Sequence, residues 1–264
     1  MLRLLSFFIT FFAIISTVSA QKLKKRTESI GIYKEVYHID KKTKFRSGES
    51  YIENVKSGEK VAAGNYSNAS RTGKWIFRDS ESGEDYMIYN YTNDSLIYLN
   101  QSLVADSFLV KTDLGYELKK VDRPLLYIGL KDEIANLIGQ DLEIPIEIIK
   151  NGRIGMSVLQ YFVDDEGNLS GPRLVNGFSQ EMEQGIHQKI SVLSSKFLPA
   201  IIDGKTIAST FFVRVNVGLS NEAFATELLP PYILHIDVYY SIQPTVKRQP
   251  VRMEIRTVDF SEIE

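Results

Sequence analysis

The sequence predicts an α+β fold, and three observations carry that expectation. Between Ile30 and Leu99, short Tyr-rich runs of strand length are separated by Gly, Asn and Ser turns, with no sustained helical period. Beyond Pro124, stretches of helical period interleave with stretches of strict alternation. After Leu219, two more alternating runs occupy the tail. The expected order is an all-β hairpin meander, an antiparallel sheet with two helices, and an appended C-terminal β-hairpin.

The chain starts with Arg3 and an apolar run from Leu4 to Val18, followed by Ser19, Ala20 and a polar switch at Gln21-Lys22. A positive start, an apolar stretch of this length and small residues at Val18 and Ala20 read as a secretory signal peptide cleaved after Ala20. No Cys follows, so a lipoprotein anchor is excluded. An uncleaved anchor is the competing reading of residues 1–20. Cleavage places the mature chain in the periplasm or outside the cell. Residues 21–29, with Lys22, Lys24, Lys25 and Arg26, are expected to be a flexible basic start.

The 264 residues carry 31 Lys+Arg against 33 Asp+Glu, a balance that argues against nucleic acid or an acidic lipid surface as partner. The absence of Cys removes disulfides, thiolate catalysis and thiolate metal sites. Stability must therefore come from the core, for which 44% hydrophobic content is sufficient.

Residues 30–121 are expected to form the β-rich half. Ile32 to Ile39, Tyr51 to Val55, Val61 to Tyr66, Lys74 to Arg78 and Tyr86 to Tyr91 are its strand-length runs, and Gly48, Gly58, Gly73 and Gly83 punctuate them. Gly64-Asn65-Tyr66-Ser67-Asn68 followed by Gly73-Lys74-Trp75-Ile76-Phe77 resembles the repeat of MORN-type proteins, with Gly83 to Tyr91 as a degenerate second copy. Trp75 and the neighbouring tyrosines are expected in the core rather than on a carbohydrate platform. Leu103 to Val121 reads as a connection with one or two strands.

Leu130, Ile134, Leu137 and Ile138 fall at helical spacing before Gly139, and Glu143-Ile144-Pro145 is expected to be extended. Ile154 to Val163 alternates as a strand, Asp164 to Asn168 turns it, and Leu169 to Val175 returns as its hairpin partner. Ser179 offers an N-cap to a helix over about Gln180 to Ser195, with Met182, Ile186, Ile190 and Leu193 as its apolar stripe. Phe211, Val213, Val215, Val217 and Leu219 form the apolar side of a closing strand.

The punctuation of residues 122–220 resembles the TonB C-terminal domain, in the variant of Bacteroidetes-type proteins. The matching residues are Gly152-Arg153-Ile154-Gly155, Phe162-Val163-Asp164-Asp165-Glu166-Gly167, Phe197-Leu198-Pro199-Ala200, Asp203-Gly204-Lys205 and Phe211 to Leu219. Phe197 stands where that family usually has Trp, and Leu126-Tyr127-Ile128-Gly129 lacks the usual double glycine. The resemblance implies a non-enzymatic, cofactor-free module that binds an envelope or outer-membrane protein by strand addition, with Phe211, Val213, Val215, Val217 and Leu219 as the partner-binding strand. An energy transducer also needs a retained anchor and a long Pro-rich spacer, whereas this chain has 8 Pro and no Pro-rich tract. A membrane-anchored transducer and a structural or adhesive β-repeat protein are the alternative readings. In residues 221–264, Tyr232 to Ile242 and Val251 to Ile255 are expected to pair around Pro244 to Pro250, widening the sheet or covering its edge.

Enzymatic motifs are absent from the sequence. His38, His187 and His235 lie in different elements, Glu183 and His187 share helical spacing as a surface pair, and the acidic turn Asp164 to Asn168 lacks the ligand alternation of a calcium loop. No Gly-x-Ser-x-Gly elbow or Gly-rich phosphate loop occurs.

Overall fold

The computed structural model describes residues 22–130, 132–139, 142–193, 197–219, 232–240 and 253–254. The expected signal peptide, Ile242, Pro244 to Pro250, Val251 and Ile255 lie outside the described residues. Most of the described chain is antiparallel β-sheet with three helices, one more than expected. Among the described residues, no helix is long and apolar enough to cross a membrane.

Seven strands form the first sheet in sequence order: β1 (Leu23–Ile30), β2 (Tyr33–Asp40), β3 (Gly48–Asn54), β4 (Lys60–Ser67), β5 (Ser70–Arg78), β6 (Asp85–Asn90) and β7 (Ser95–Leu99). The start expected to be flexible is instead β1, paired along its whole length with β2. Its charges conceal a strand because they sit on an edge, where solvent reaches both faces.

The turns of this meander repeat. Asn54 Oδ1 accepts from the N–H groups of Lys56 and Ser57 at 2.8 and 3.2 Å, and Asp79 Oδ2 accepts from Ser82 N–H at 2.9 Å. Gly58 and Gly83 then take φ of 74° and 73°, a left-handed conformation that glycine adopts without steric cost. Arg46 and Arg71 likewise reach the hydroxyls of Tyr66 and Tyr91 at 3.2 and 3.0 Å. Residues 46–70 and 71–95 are thus two copies of one structural unit. Trp75 is fully buried, and a Cβ on Gly64 would stand 2.3 Å from its ring. The glycine of β4 is therefore the slot that admits the indole of β5.

The second sheet contains β8 (Ser107–Thr112), β9 (Gly115–Lys120), β11 (Gly155–Val163), β12 (Leu169–Asn176), β16 (Ser209–Leu219), β17 (Ile233–Tyr240) and β18 (Met253–Glu254). Its order is β12-β11-β16-β17-β18, with β8 pairing β16 and β9 pairing β8. The β8–β9 hairpin thus belongs with the second sheet, not with the β-rich half expected over residues 30–121. The tail does widen the sheet, but β17 runs parallel to β16 before β18 pairs with it antiparallel.

Three helices, α1 (Glu133–Gly139), α2 (Ile146–Lys150) and α3 (Gln180–Ser191), accompany this sheet. Ile134 and Ile138 of α1 and Met182, Ile186 and Ile190 of α3 share one core with Leu159, Tyr161, Val213, Val215 and Val217 of the sheet. Ser179 caps α3 by accepting from Met182 N–H at 3.5 Å. Glu183 Oε1 accepts from the N–H groups of Phe178 and Ser179 at 2.8 and 3.3 Å, satisfying two donors at the helix start. Residues 143–145 are non-helical as expected, but Pro145 then stands at the N-cap position of α2, whose single turn is too short to show a period.

A two-stranded ribbon lies between the two cores. It pairs β10 (Leu126–Tyr127) with β13 (Phe197–Leu198), placing Leu126 opposite Leu198 and Tyr127 opposite Phe197. Alternate residues point opposite ways: Leu125 and Tyr127 enter the second core, Leu126 and Ile128 the first. Phe197 and Leu198 divide in the same manner. The hairpin of β14 (Ala200–Ile202) and β15 (Lys205–Ile207) follows, turned at Asp203 and Gly204 with φ of 50° and 72°.

Candidate interaction surfaces

Strand addition requires a backbone edge with unpaired N–H and C=O groups. From Phe212 to Val217, β16 is paired on both sides and has none to offer. Its residues Ser209 to Val217 pair with β11, and Phe212 to Leu219 pair with β17. Phe211, Val213, Val215 and Val217 are buried beneath the helices, and Leu219 packs partly against the same core. The expectation that this strand receives a partner is therefore corrected: its regular alternation marks a central strand. The strand order that closes it depends on β17, whose parallel return is a long-range pairing.

β12 is an open edge of this sheet, as is β9, which pairs with β8 alone among the described residues. β12 pairs with β11 and with nothing on its other side among the described residues. Leu174 and Val175 are each 53% exposed on this strand, at a break in its register where Leu174 stands opposite Leu159, Asn176 opposite Val158, and Val175 lies between them. Pro172 and Arg173 precede them. Both features limit indiscriminate pairing, and they leave the segment after Pro172 as the accessible part. The return strand was legible in the sequence, but its status as an edge was not. The adjacent pair Leu174-Val175, which breaks alternation, was the available signal.

The turn joining β11 to β12 is fixed from two sides. Asp164 Oδ1 accepts from the N–H groups of Glu166 and Asn168 at 3.0 and 2.8 Å, and Asn168 Nδ2 donates to Asp164 Oδ2 at 2.9 Å. The Asn168 side chain and then these backbone donors hold the Asp164 carboxyl below its ordinary pKa. Gly167, at φ 90°, packs so closely that an added Cβ would stand 2.3 Å from the Phe197 carbonyl oxygen. The acidic turn is thus a hairpin bend docked on the Phe197-Leu198-Pro199 segment.

The histidines remain apart. His38 Nδ1–H donates to the Glu49 carbonyl at 2.8 Å on the first sheet. His187 faces the Tyr161 ring at 6.3 Å, while its expected partner Glu183 caps α3 and accepts from Ser157 Oγ at 3.0 Å. His235 Nε2 lies 2.6 Å from Asp237 Oδ1 and 3.1 Å from Asn216 Nδ2. Its contacts are a carboxylate and a carboxamide, so this imidazole ties β17 to β16. No group of three or more His, Asp or Glu side chains gathers to hold a metal among the described residues.

A buried polar contact joins the two halves. Tyr33 Oη donates to Asp132 Oδ2 at 2.5 Å, and Asn136 Nδ2 donates to the Asp132 carbonyl at 3.0 Å. Burial pushes the Asp132 carboxyl above its ordinary range, and burial together with Asp132 raises the Tyr33 phenol. This acid fastens the first sheet to the start of α1.

Comparison of the chain with models of protein families, with curated proteins and with solved structures finds no match.

Proposed function

We propose that this chain is a non-enzymatic exported protein-interaction module, resembling the TonB C-terminal domain, that binds an envelope or outer-membrane component by β-strand addition at β12. The open β12 edge, with Leu174 and Val175 exposed on it, carries the proposal. Backbone pairing would supply affinity there, and the two apolar side chains would select the incoming strand. Two further observations support the family reading. The order α1, β11, β12, α3, β16 follows that of the family, and its punctuating segments at Gly167 and Phe197-Leu198-Pro199 touch each other.

Successive N–H groups of a strand point to opposite edges. In the regularly paired Arg173 and Leu174, one of the two variants Arg173→Pro and Leu174→Pro therefore removes the outward donor while sparing the β11 ladder. Capture of a partner from solubilised envelope should be lost in that variant with its thermal unfolding preserved. Capture by both variants at the level of the unsubstituted chain rejects strand addition at β12.

The paired units of residues 46–70 and 71–95 favour a second reading, in which the first sheet is a structural repeat that carries the second sheet as its dock. Partner capture that survives the β12 substitutions but is lost on substituting the outer face of the first sheet selects this reading.

A further inference from the structure

The two edges of the first sheet differ in kind. β1 presents Lys24, Lys25, Arg26 and Glu28, all exposed, and charges along an edge deter further pairing. At the other end, β7 reads Ser-Leu-Ile-Tyr-Leu and bears no charge. Ile97 and Tyr98 are 46% and 43% exposed on it, and no strand lies beyond it among the described residues. Such an edge is a template for another strand.

The sheet face that leads to this edge is also apolar. Val36, Tyr51, Ala63, Ile76, Ile88 and Tyr98 stand directly opposite one another on successive strands from β2 to β7. They form one row across the face turned away from Trp75 and Phe77, and from Tyr51 to Ile88 its members are half-buried. Lys34 and Glu53 pair across one side of the row, as do Arg78 and Asp85. The row ends at Tyr98, on the open edge.

We propose that β7 is a self-association edge at which a second copy of this chain pairs antiparallel, joining two seven-stranded sheets about a two-fold axis perpendicular to them. Charge selects the occupant. Two uncharged β7 strands meet without repulsion, whereas β7 against β1 would set an apolar strand on a row of cations. β12 against its own copy would bring Arg173 near Arg173. In the isologous pair the axis passes at Tyr98, which meets its own copy, and the two apolar rows become one continuous band. The ladder is only five residues long, so the dimer forms in a concentration-dependent manner.

The absence of Cys from the sequence makes the test direct, because any introduced thiol is the only one present. In the full chain, Tyr98→Cys should give a disulfide-linked dimer under mild oxidation, while Thr27→Cys on β1 should not. Sedimentation of the unsubstituted chain should show a monomer–dimer equilibrium. Tyr98→Lys and Ile97→Lys should each weaken it roughly tenfold through lost cross-strand contacts without altering thermal unfolding. Three outcomes overturn the proposal: a monomer from micromolar to millimolar concentration, a dimer indifferent to both lysine substitutions, or linkage through Thr27→Cys as efficient as through β7.

Discussion

Arg71 Nη1 donates to Tyr91 Oη at 3.0 Å while its guanidinium lies 4.5 Å from the centroid of the Trp75 ring. The planar cation is thereby stacked and hydrogen-bonded at once, a pairing that an ammonium cannot reproduce. Arg71→Lys and Arg71→Ala should both lower stability, the latter by about 2–4 kcal/mol from a desolvated cation–π contact and a charge-assisted hydrogen bond. Urea unfolding of the full chain measures the difference, and little recovery in the lysine variant is the expected signature.

Arg46 occupies the equivalent place in the preceding unit, with one further obligation. Its Nη1 donates to the buried Glu35 carboxylate at 2.7 Å, where Tyr66 Oη and Ser50 Oγ also donate at 2.9 and 3.2 Å. Arg46→Ala leaves that carboxylate buried without its cation, at a cost of about 3–5 kcal/mol. Adding Glu35→Gln should recover a large part of the loss, which a double-mutant cycle reads directly.

Gly64→Ala should fail for steric reasons alone, since Gly64 is absent from the positive-φ glycines and its added Cβ meets the Trp75 ring. Overpacking of this kind costs roughly 1–3 kcal/mol. Trp75 is the only Trp, so intrinsic tryptophan fluorescence of the variant reports this contact and no other.

Asp132 and Asp164 predict opposite responses to pH. Asp164 has a depressed folded-state pKa, so its stabilisation is present above the unfolded carboxylate pKa and lost as pH falls through the folded value. Asp132 has a raised one, so the folded state holds its proton more tightly. It favours folding in acid and loses that contribution as pH rises from the ordinary carboxylate value through the raised one. Asp132→Asn keeps an acceptor oxygen for Tyr33. Relative to the unsubstituted chain, this variant should gain stability with rising pH across that window. Paired urea titrations at several pH values measure the difference.

Local chemistry made some elements legible. The Ser179 cap, the Met182, Ile186 and Ile190 stripe, the alternation of β11 and the glycine-punctuated turns of the first sheet all follow from residues within a few positions of one another. Non-local pairing hid the rest. β1 is a strand because β2 pairs with it, not because its charged residues favour one. Leu125 to Ile128 reads as one apolar run because each side of it faces a different core. The central place of β16 is hidden for the same reason: alternation identifies it as half of a buried face, while its neighbours decide whether it is an edge. Val215→Asp should therefore unfold the chain rather than simply block binding, since it buries a carboxylate at a fully enclosed position. Circular dichroism of the variant separates the two effects.

The most direct measurement places a photo-activatable residue at Val175 in the full chain inside living cells, with the same residue at the exposed Ile32 of the first sheet as control. Strand addition at β12 predicts an adduct with one envelope protein at Val175 and none at Ile32. Adducts at neither position, or equal adducts at both, would show that the β12 edge is not where this protein meets its partner.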